Sequence, residues 1–286
     1  MKKLENIYGR VLQVGVVASL FLVFMTAPAA NAVEGLSGGK IIMPWARTVA
    51  PGSFELEPAV SFTTFNEELD DDGESVDLDG RYQVTTIDVR FTGGLTDRFE
   101  MGAAFGIESE NFHHDADPTL DESDTSLGDF ALGWKYRLMG DNESDALALE
   151  WGIGLPWVSH DSYAVWEAGL IYSKALGDKL SMDIDSTYYF TTEASSGDPW
   201  YGLTYNLGIG YDFSDKFTLA GELNGFWERS RNDHVESWKI TPAVGMAYGV
   251  NDILSVCMLV QRDFEGLGQN SELATGFQML FTMAFE

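Results

Sequence analysis

Apolar and polar residues change places at almost every step along the chain after about residue 53. Leu147, Leu149, Trp151, Ile153, Leu155 and Trp157 occupy alternate positions, as do Tyr201, Leu203, Tyr205, Leu207, Ile209, Tyr211 and Phe213. A period of two puts one set of side chains on each face of a strand. The same pattern predicts strands at 54–62, 87–95, 99–107, 130–138, 147–157, 166–172, 180–190, 201–213, 217–227, 238–248, 254–260 and 273–285. Twelve is an even number, as a bacterial single-chain barrel requires.

The gaps between these runs are regular. Asp141, Asp178, Asp215 and Asp252 stand 37 residues apart, each within a short turn, and Leu95-Thr96-Asp97-Arg98 is an earlier copy. Asp, Asn and Gly beside a short gap are turn chemistry. Strand, short turn, strand and longer link, repeated, describe a meander that closes into a barrel.

The second face of each strand decides what the barrel is immersed in. Ala148, Glu150, Gly152, Gly154 and Pro156 separate the apolar residues of 147–157, and Ser181, Asp183, Asp185, Thr187 and Tyr189 do so in 180–190. Twelve strands enclose more space than one apolar layer fills. Pointing the apolar set at lipid and the polar, glycine-rich set at a wet interior resolves this. The fold class expected is therefore all-β, an antiparallel transmembrane β-barrel of outer-membrane type, with a soluble β-sandwich as the alternative. Trp157, Trp166, Trp200, Tyr211, Trp227, Trp238 and Tyr248 fall near strand ends, where interfacial aromatic girdles form. Short turns belong on the periplasmic side and the longer links near 66–80, 109–125, 158–162, 192–199, 229–235 and 263–271 outside.

The amino terminus agrees with export. Lys2, Lys3 and Arg10 precede a largely apolar run from Val11 to Met25, and Ala30-Asn31-Ala32 offers the small residues of a cleavage site. Residues 1–32 read as a cleaved secretory signal, 33–52 as a periplasmic or plug segment in which Ile41, Ile42, Met43 and Trp45 could fold inward, and 53–286 as the barrel. No later stretch offers the roughly 20 apolar residues of a spanning helix. The outer membrane of a Gram-negative bacterium is the expected location.

Charge then removes whole classes of function. Taking three of the 17 basic residues and one of the 45 acids away with the signal leaves 14 against 44, a formal net charge of −30. Nucleic acid is not expected as a partner, because phosphate contacts need basic patches. Hydrophobic residues at 45% and aromatic ones at 13% argue against an acidic disordered chain. The single Cys257 cannot form an internal disulfide and reads as a small inward packing residue.

Several segments resemble a known family. Gly93-Gly94-Leu95-Thr96-Asp97-Arg98-Phe99-Glu100-Met101-Gly102, Ser126-Leu127-Gly128-Asp129-Phe130-Ala131-Leu132-Gly133-Trp134-Lys135-Tyr136-Arg137 and Ala146-Leu147-Ala148-Leu149 are similar to outer-membrane proteins described as transporters of the meta-pathway of phenol degradation. The likeness runs from about Gly52 to the end and rests mainly on barrel grammar. It implies a barrel channel and uptake of aromatic or other apolar compounds, and it supplies no site residues. The first long loop is more acidic than the family leads one to expect, and the chain ends Phe285-Glu286 where such barrels commonly end in an aromatic read by the assembly machinery.

The strand phases predict what lines the interior. Glu55, Glu57, Asp88, Glu100, Asp129, Glu150, Glu167, Asp183, Asp185 and Glu222 point inward, against Arg90, Lys135, Arg137 and Lys239. Four bases pair with only some of ten acids, and the remainder would favour cations. The opposing reading is a closed lumen cross-linked by paired charges.

Acid also gathers in the outer links. Glu68 to Asp79 approximates a calcium loop, with Gly73 at its sixth place. Glu stands where Asp is usual and no flanking helices are expected, so Asp70, Asp72, Glu74 and Asp79 are a weak metal candidate beside a solvated acidic loop. An enzyme is the third class to weigh, since some twelve-stranded outer-membrane barrels are phospholipases. The four histidines, His113, His114, His160 and His234, all fall in predicted outer links, and only Ser159-His160-Asp161-Ser162 looks suggestive. A relay is a spatial constellation rather than a run of neighbours, so no catalytic residue and no cofactor are expected. The reading is a passive channel for small solutes, aromatic or apolar molecules among them, through an acid-biased lumen, with a structural or adhesion barrel of closed lumen and a phospholipase-like enzyme as alternatives. Partners would be outer-membrane lipid and lipopolysaccharide, the barrel assembly machinery and the small-molecule solute.

Overall fold

A computed structural model describes residues 45–114, 118–128, 130–141, 145–155, 164–192, 200–231 and 234–286. Its strands are β1 (Phe54–Leu69), β2 (Ser75–Thr96), β3 (Phe99–His114), β4 (Glu122–Leu127), β5 (Phe130–Met139), β6 (Ala146–Leu155) and β7 (Val165–Ala175). There follow β8 (Leu180–Thr191), β9 (Trp200–Ser214), β10 (Phe217–Ser230), β11 (Glu236–Gly249), β12 (Leu254–Arg262), β13 (Gly268–Gln269) and β14 (Ser271–Phe285). Neighbouring strands pair antiparallel around a ring in the order β1, β2, β3, β5, β6, β7, β8, β9, β10, β11, β12 and β14, β14 returns to β1, and β4 and β13 pair with β3 and β11 beside it. The ring has no open end, so its backbone groups find partners without water.

Fourteen segments make twelve barrel strands. β4 and β5 both pair with β3 and are one strand broken at Gly128, where the register slips by a residue. The two-residue β13 pairs only with β11, beside the start of β14. The chain is therefore a closed twelve-stranded antiparallel barrel.

The faces follow the alternation. Phe105, Leu170, Phe213, Val244, Tyr248 and Val260 each expose half or more of their surface on the outside, where Phe91, Ile184, Ile209, Leu219 and Met246 add to the same apolar belt. Water would penalise so continuous a patch; lipid accepts it. Trp166, Tyr211 and Tyr248 are exposed near strand ends, while the Trp238 indole donates to Gln269 at 3.1 Å. Trp157 lies outside the described residues.

Two expected outer links prove shorter. β1 reaches Leu69 and β2 begins at Ser75, leaving a tight turn in place of a loop at 66–80, and β3 continues to His114. In these extensions the apolar side chains Phe65, Tyr82, Val84 and Phe112 take the lumen-side phase and Arg81, Gln83 and Thr85 the outer one, so the outward apolar alternation stops although the ladder does not. The Asp70 carboxylate accepts the amides of Asp72 and Glu74 at 2.9 Å, closing the turn. A tight hairpin thus replaces the calcium-loop pattern, with Asp79 on β2. Among the described residues no group of three His, Cys, Asp or Glu side chains is arranged to hold a metal ion.

Candidate functional site: the lumen and its strap

Residues 45–52 run inside the barrel along the wall near the short turns. Pro51 bridges Gly94 and the Gly52 amide donates to the Gly94 carbonyl at 2.9 Å. A Cβ at Gly94 would collide with the carbonyl oxygens of Val49 and Ala50, so only glycine lets the strap lie this close. Further along, Thr48 Oγ1 donates to the Asp97 carbonyl at 3.0 Å, which also accepts from the Arg137 guanidinium. The Val49 amide donates to Glu100 Oε2 at 2.7 Å, and the Ala46 amide to Ser173 Oγ at 2.9 Å. Ala46 packs in a small apolar cluster with Ala146, Ala148 and Ile171. The strap thus follows the inner wall from β1 past β3, β5 and β6 to β7.

The remaining part of the lumen end is open. A cavity of about 590 Å³ lies between the strap residues Trp45 and Arg47 and a wall that includes Glu57, Asp183, Ala247, Cys257 and Thr282. The Arg47 guanidinium sits over the Trp45 ring at 4.9 Å, which fixes both side chains at its edge.

The inward face carries most of the ionisable residues that the strand phases single out. Glu100, Lys135 and Glu150 are fully buried, and Glu57, Arg137, Asp183, Asp185 and Glu222 nearly so. Glu55, Asp88, Arg90, Glu167 and Lys239 are partly buried. Asp129 lies outside the described residues. Lys135 Nζ meets Glu100 Oε1 at 2.7 Å, joining the ion pair to the strap through the carboxylate's other oxygen. Glu57 takes the Thr282 hydroxyl at 3.0 Å and has Arg90 Nε at 3.7 Å. Glu150 accepts from Thr187 at 2.5 Å across Gly169, where any Cβ would block that bond. Asn206 donates to Asp185 at 2.9 Å.

The lumen has a second, apolar side. Ala59, Ala220, Ala243, Cys257, Leu259 and Leu280 form one buried cluster on β1, β10, β11, β12 and β14. Cys257 of this cluster, and Ala247 packed against it, reach the cavity.

Five polar groups were not singled out from sequence. Arg47 precedes any periodic run. Glu108 and Glu228 sit one step beyond the predicted strand limits, and Tyr189, noted only as part of a polar face, donates to Glu228 at 2.6 Å. Asp263 falls in the predicted link at 263–271, yet it is buried, bonded to Thr241 and 3.0 Å from Lys239 Nζ. His113 Nδ1 lies 2.8 Å from Asp121 on the exposed rim. That bond and the His114 amide, the larger influence, hold the Asp121 carboxyl below the usual carboxylate range. Ser159-His160-Asp161-Ser162 lies outside the described residues.

No protein-family model matches the chain, and no curated protein does. Among solved structures, an outer-membrane channel from Pseudomonas putida F1 is similar at 15% identity and a TM-score of 0.70, covering 84% of this chain and 98% of that one. The fold is that of an outer-membrane β-barrel. The β-domain of the Bordetella autotransporter BrkA is similar at 10% identity and a TM-score of 0.54, over 81% of this chain and 99% of that one. The transport unit of the Escherichia coli autotransporter AIDA-I is similar at 10% identity and TM-score 0.50, over 82% and 91%.

Proposed function

We propose that the protein is a passive channel of the outer membrane for small solutes, aromatic or apolar molecules among them, and that its lumen is biased towards acid. The observation that carries this is the two-sided interior beside the strap. A cavity of about 590 Å³ persists within a closed barrel, lined by the carboxylates of Glu55, Glu57 and Asp183 and by Ala247, Cys257 and Ala284. Diffusion along such a surface requires no covalent chemistry. The likeness to a Pseudomonas putida F1 outer-membrane channel supports the fold on which the reading stands. The resemblance of the Gly93–Gly102 and Ser126–Arg137 segments to transporters of the phenol meta-pathway family supports the aromatic solute class.

A structural barrel with a closed lumen is the second reading, favoured by the buried Lys135–Glu100 pair and the strap bound to it. Single-channel recording of refolded mature protein in a planar bilayer under a potassium chloride gradient separates the two. Discrete cation-selective openings are expected, with the reversal potential moving towards zero in a Glu55→Gln, Asp183→Asn variant, since both carboxylates line the cavity. Silence from a verified barrel would reject the open channel in favour of the closed one.

A further inference from the structure

Above the lipid belt, the wall formed by β2, β3 and β4 sorts its side chains by charge. Glu108, Glu110, Glu122 and Asp124 take the lumen-side phase on β3 and β4, while the alternate positions Ser109, Asn111, Ser123 and Thr125 face out. β2 follows the same rule, with Arg81, Gln83 and Thr85 outward. The chain holds 45 acids against 17 bases, yet among the described residues this outer wall shows no carboxylate between the belt and the tip. Acid returns only at the tip, where Asp121 meets His113 and Asp77 and Asp79 precede Arg81.

The wall is built in cross-strand rows. Thr85, Ser109 and Thr125 form the first, Gln83, Asn111 and Ser123 the second, and Arg81 with His113 the third. Directly below them, Ile87, Ile107 and Leu127 are the top row of the apolar belt. Four residues along β2, from Thr85 to Arg81, span about 13 Å. Thr125 Oγ1 donates to Ser109 Oγ at 3.1 Å. Among the described residues, Gln83, Asn111 and Ser123 spend no side-chain hydrogen bond and Arg81 enters no ion pair. On the other side of the barrel the outward ends of β8, β9 and β10 carry Phe190, Tyr201 and Trp227 instead, so the polar wall is a one-sided patch.

We infer that this wall is a docking surface for lipopolysaccharide, with sugars against the row of Gln83, Asn111 and Ser123 and a phosphate at Arg81. The apolar belt is a lipid interface, and the wall continues it without a break at the end opposite the short turns. In the outer leaflet, the chemistry directly above the acyl chains is a phosphorylated sugar headgroup. Hydroxyl and amide side chains both donate and accept, as sugar hydroxyls do. A guanidinium with its donors unspent suits a phosphate oxygen pair. Carboxylates on this face would repel that phosphate; the strand phase turns all four of β3 and β4 to the lumen. Docking is a property of the outer wall and stands whether or not the lumen conducts.

Native mass spectrometry of the refolded mature barrel in detergent, titrated with a short-core lipopolysaccharide, tests the inference. Binding is expected, and far weaker binding of phosphatidylglycerol, which carries the charge without the sugars. Arg81→Glu, and separately Asn111→Asp with Ser123→Asp, should each weaken lipopolysaccharide about tenfold. Ser126→Asp adds a charge to the lumen-side phase of β4 and should leave the affinity unchanged. All four positions are exposed, and the heat-shifted gel mobility of a folded barrel checks each variant. An equal loss in Ser126→Asp, equal binding of phosphatidylglycerol, or unchanged affinity in the outward-facing variants would overturn the site. A dimer that forms without lipopolysaccharide and is dissolved by Asn111→Asp with Ser123→Asp would also overturn it, giving the wall to a second copy of the chain.

Discussion

At the scale of single residues, the most consequential group is Lys135. It is fully buried, 2.7 Å from an equally buried Glu100, and that carboxylate also receives the Val49 amide. Neither charge has water to fall back on, so the pair is held by geometry and by the extra donor. Removing one partner of a buried pair costs about 3–5 kcal/mol, whereas neutralising both costs far less. Lys135→Met should lower the unfolding free energy by about that amount in a urea titration of the refolded barrel. Adding Glu100→Gln should restore most of it, since Gln still offers Val49 an acceptor. A double variant no more stable than the single one would mean that the strap bond, rather than the charge, is what Lys135 protects.

At the scale of elements, the strap is the part that the sequence conceals. Alternation is a local signal with period two, so it reveals strands and their inward phase wherever one face meets lipid. Glu100, Glu150 and Asp185 were legible for that reason. Trp45 to Pro51 have no period, and their place depends on Gly94, Glu100 and Ser173, each distant in sequence. The outer ends of β1 to β3 read as loops in the sequence because their outward face turns polar while Phe65, Tyr82 and Phe112 take the opposite phase, and Asp263 lies just past the end of β12. Gly94→Leu should fill the space the strap needs and displace it from the wall. Cys257 lines the cavity beside the strap and is nearly buried. Its modification by a water-soluble thiol reagent should therefore quicken in Gly94→Leu, with larger single-channel conductance. Unchanged rates in both measurements would show that the strap does not guard the lumen.

At the scale of the whole molecule, the two ends of the barrel differ in kind. One end has short turns such as those at Asp178, Asp215 and Asp252, with the strap folded inside it. The other carries the long extensions of β1, β2 and β3, the turn at Asp70 to Glu74 and the exposed carboxylates of Glu110, Glu122 and Asp124. Barrels of this type keep short turns in the periplasm and long segments outside. That orientation puts the acidic mouth towards the medium, where a negative field draws cations in before they reach the lumen. A Cys257→Ser background allows each end to be marked with one new thiol. Asp72→Cys should react with a membrane-impermeant maleimide on intact cells, and Asp178→Cys only after the outer membrane is permeabilised. The opposite pattern would invert the barrel, leaving the acidic extensions in the periplasm.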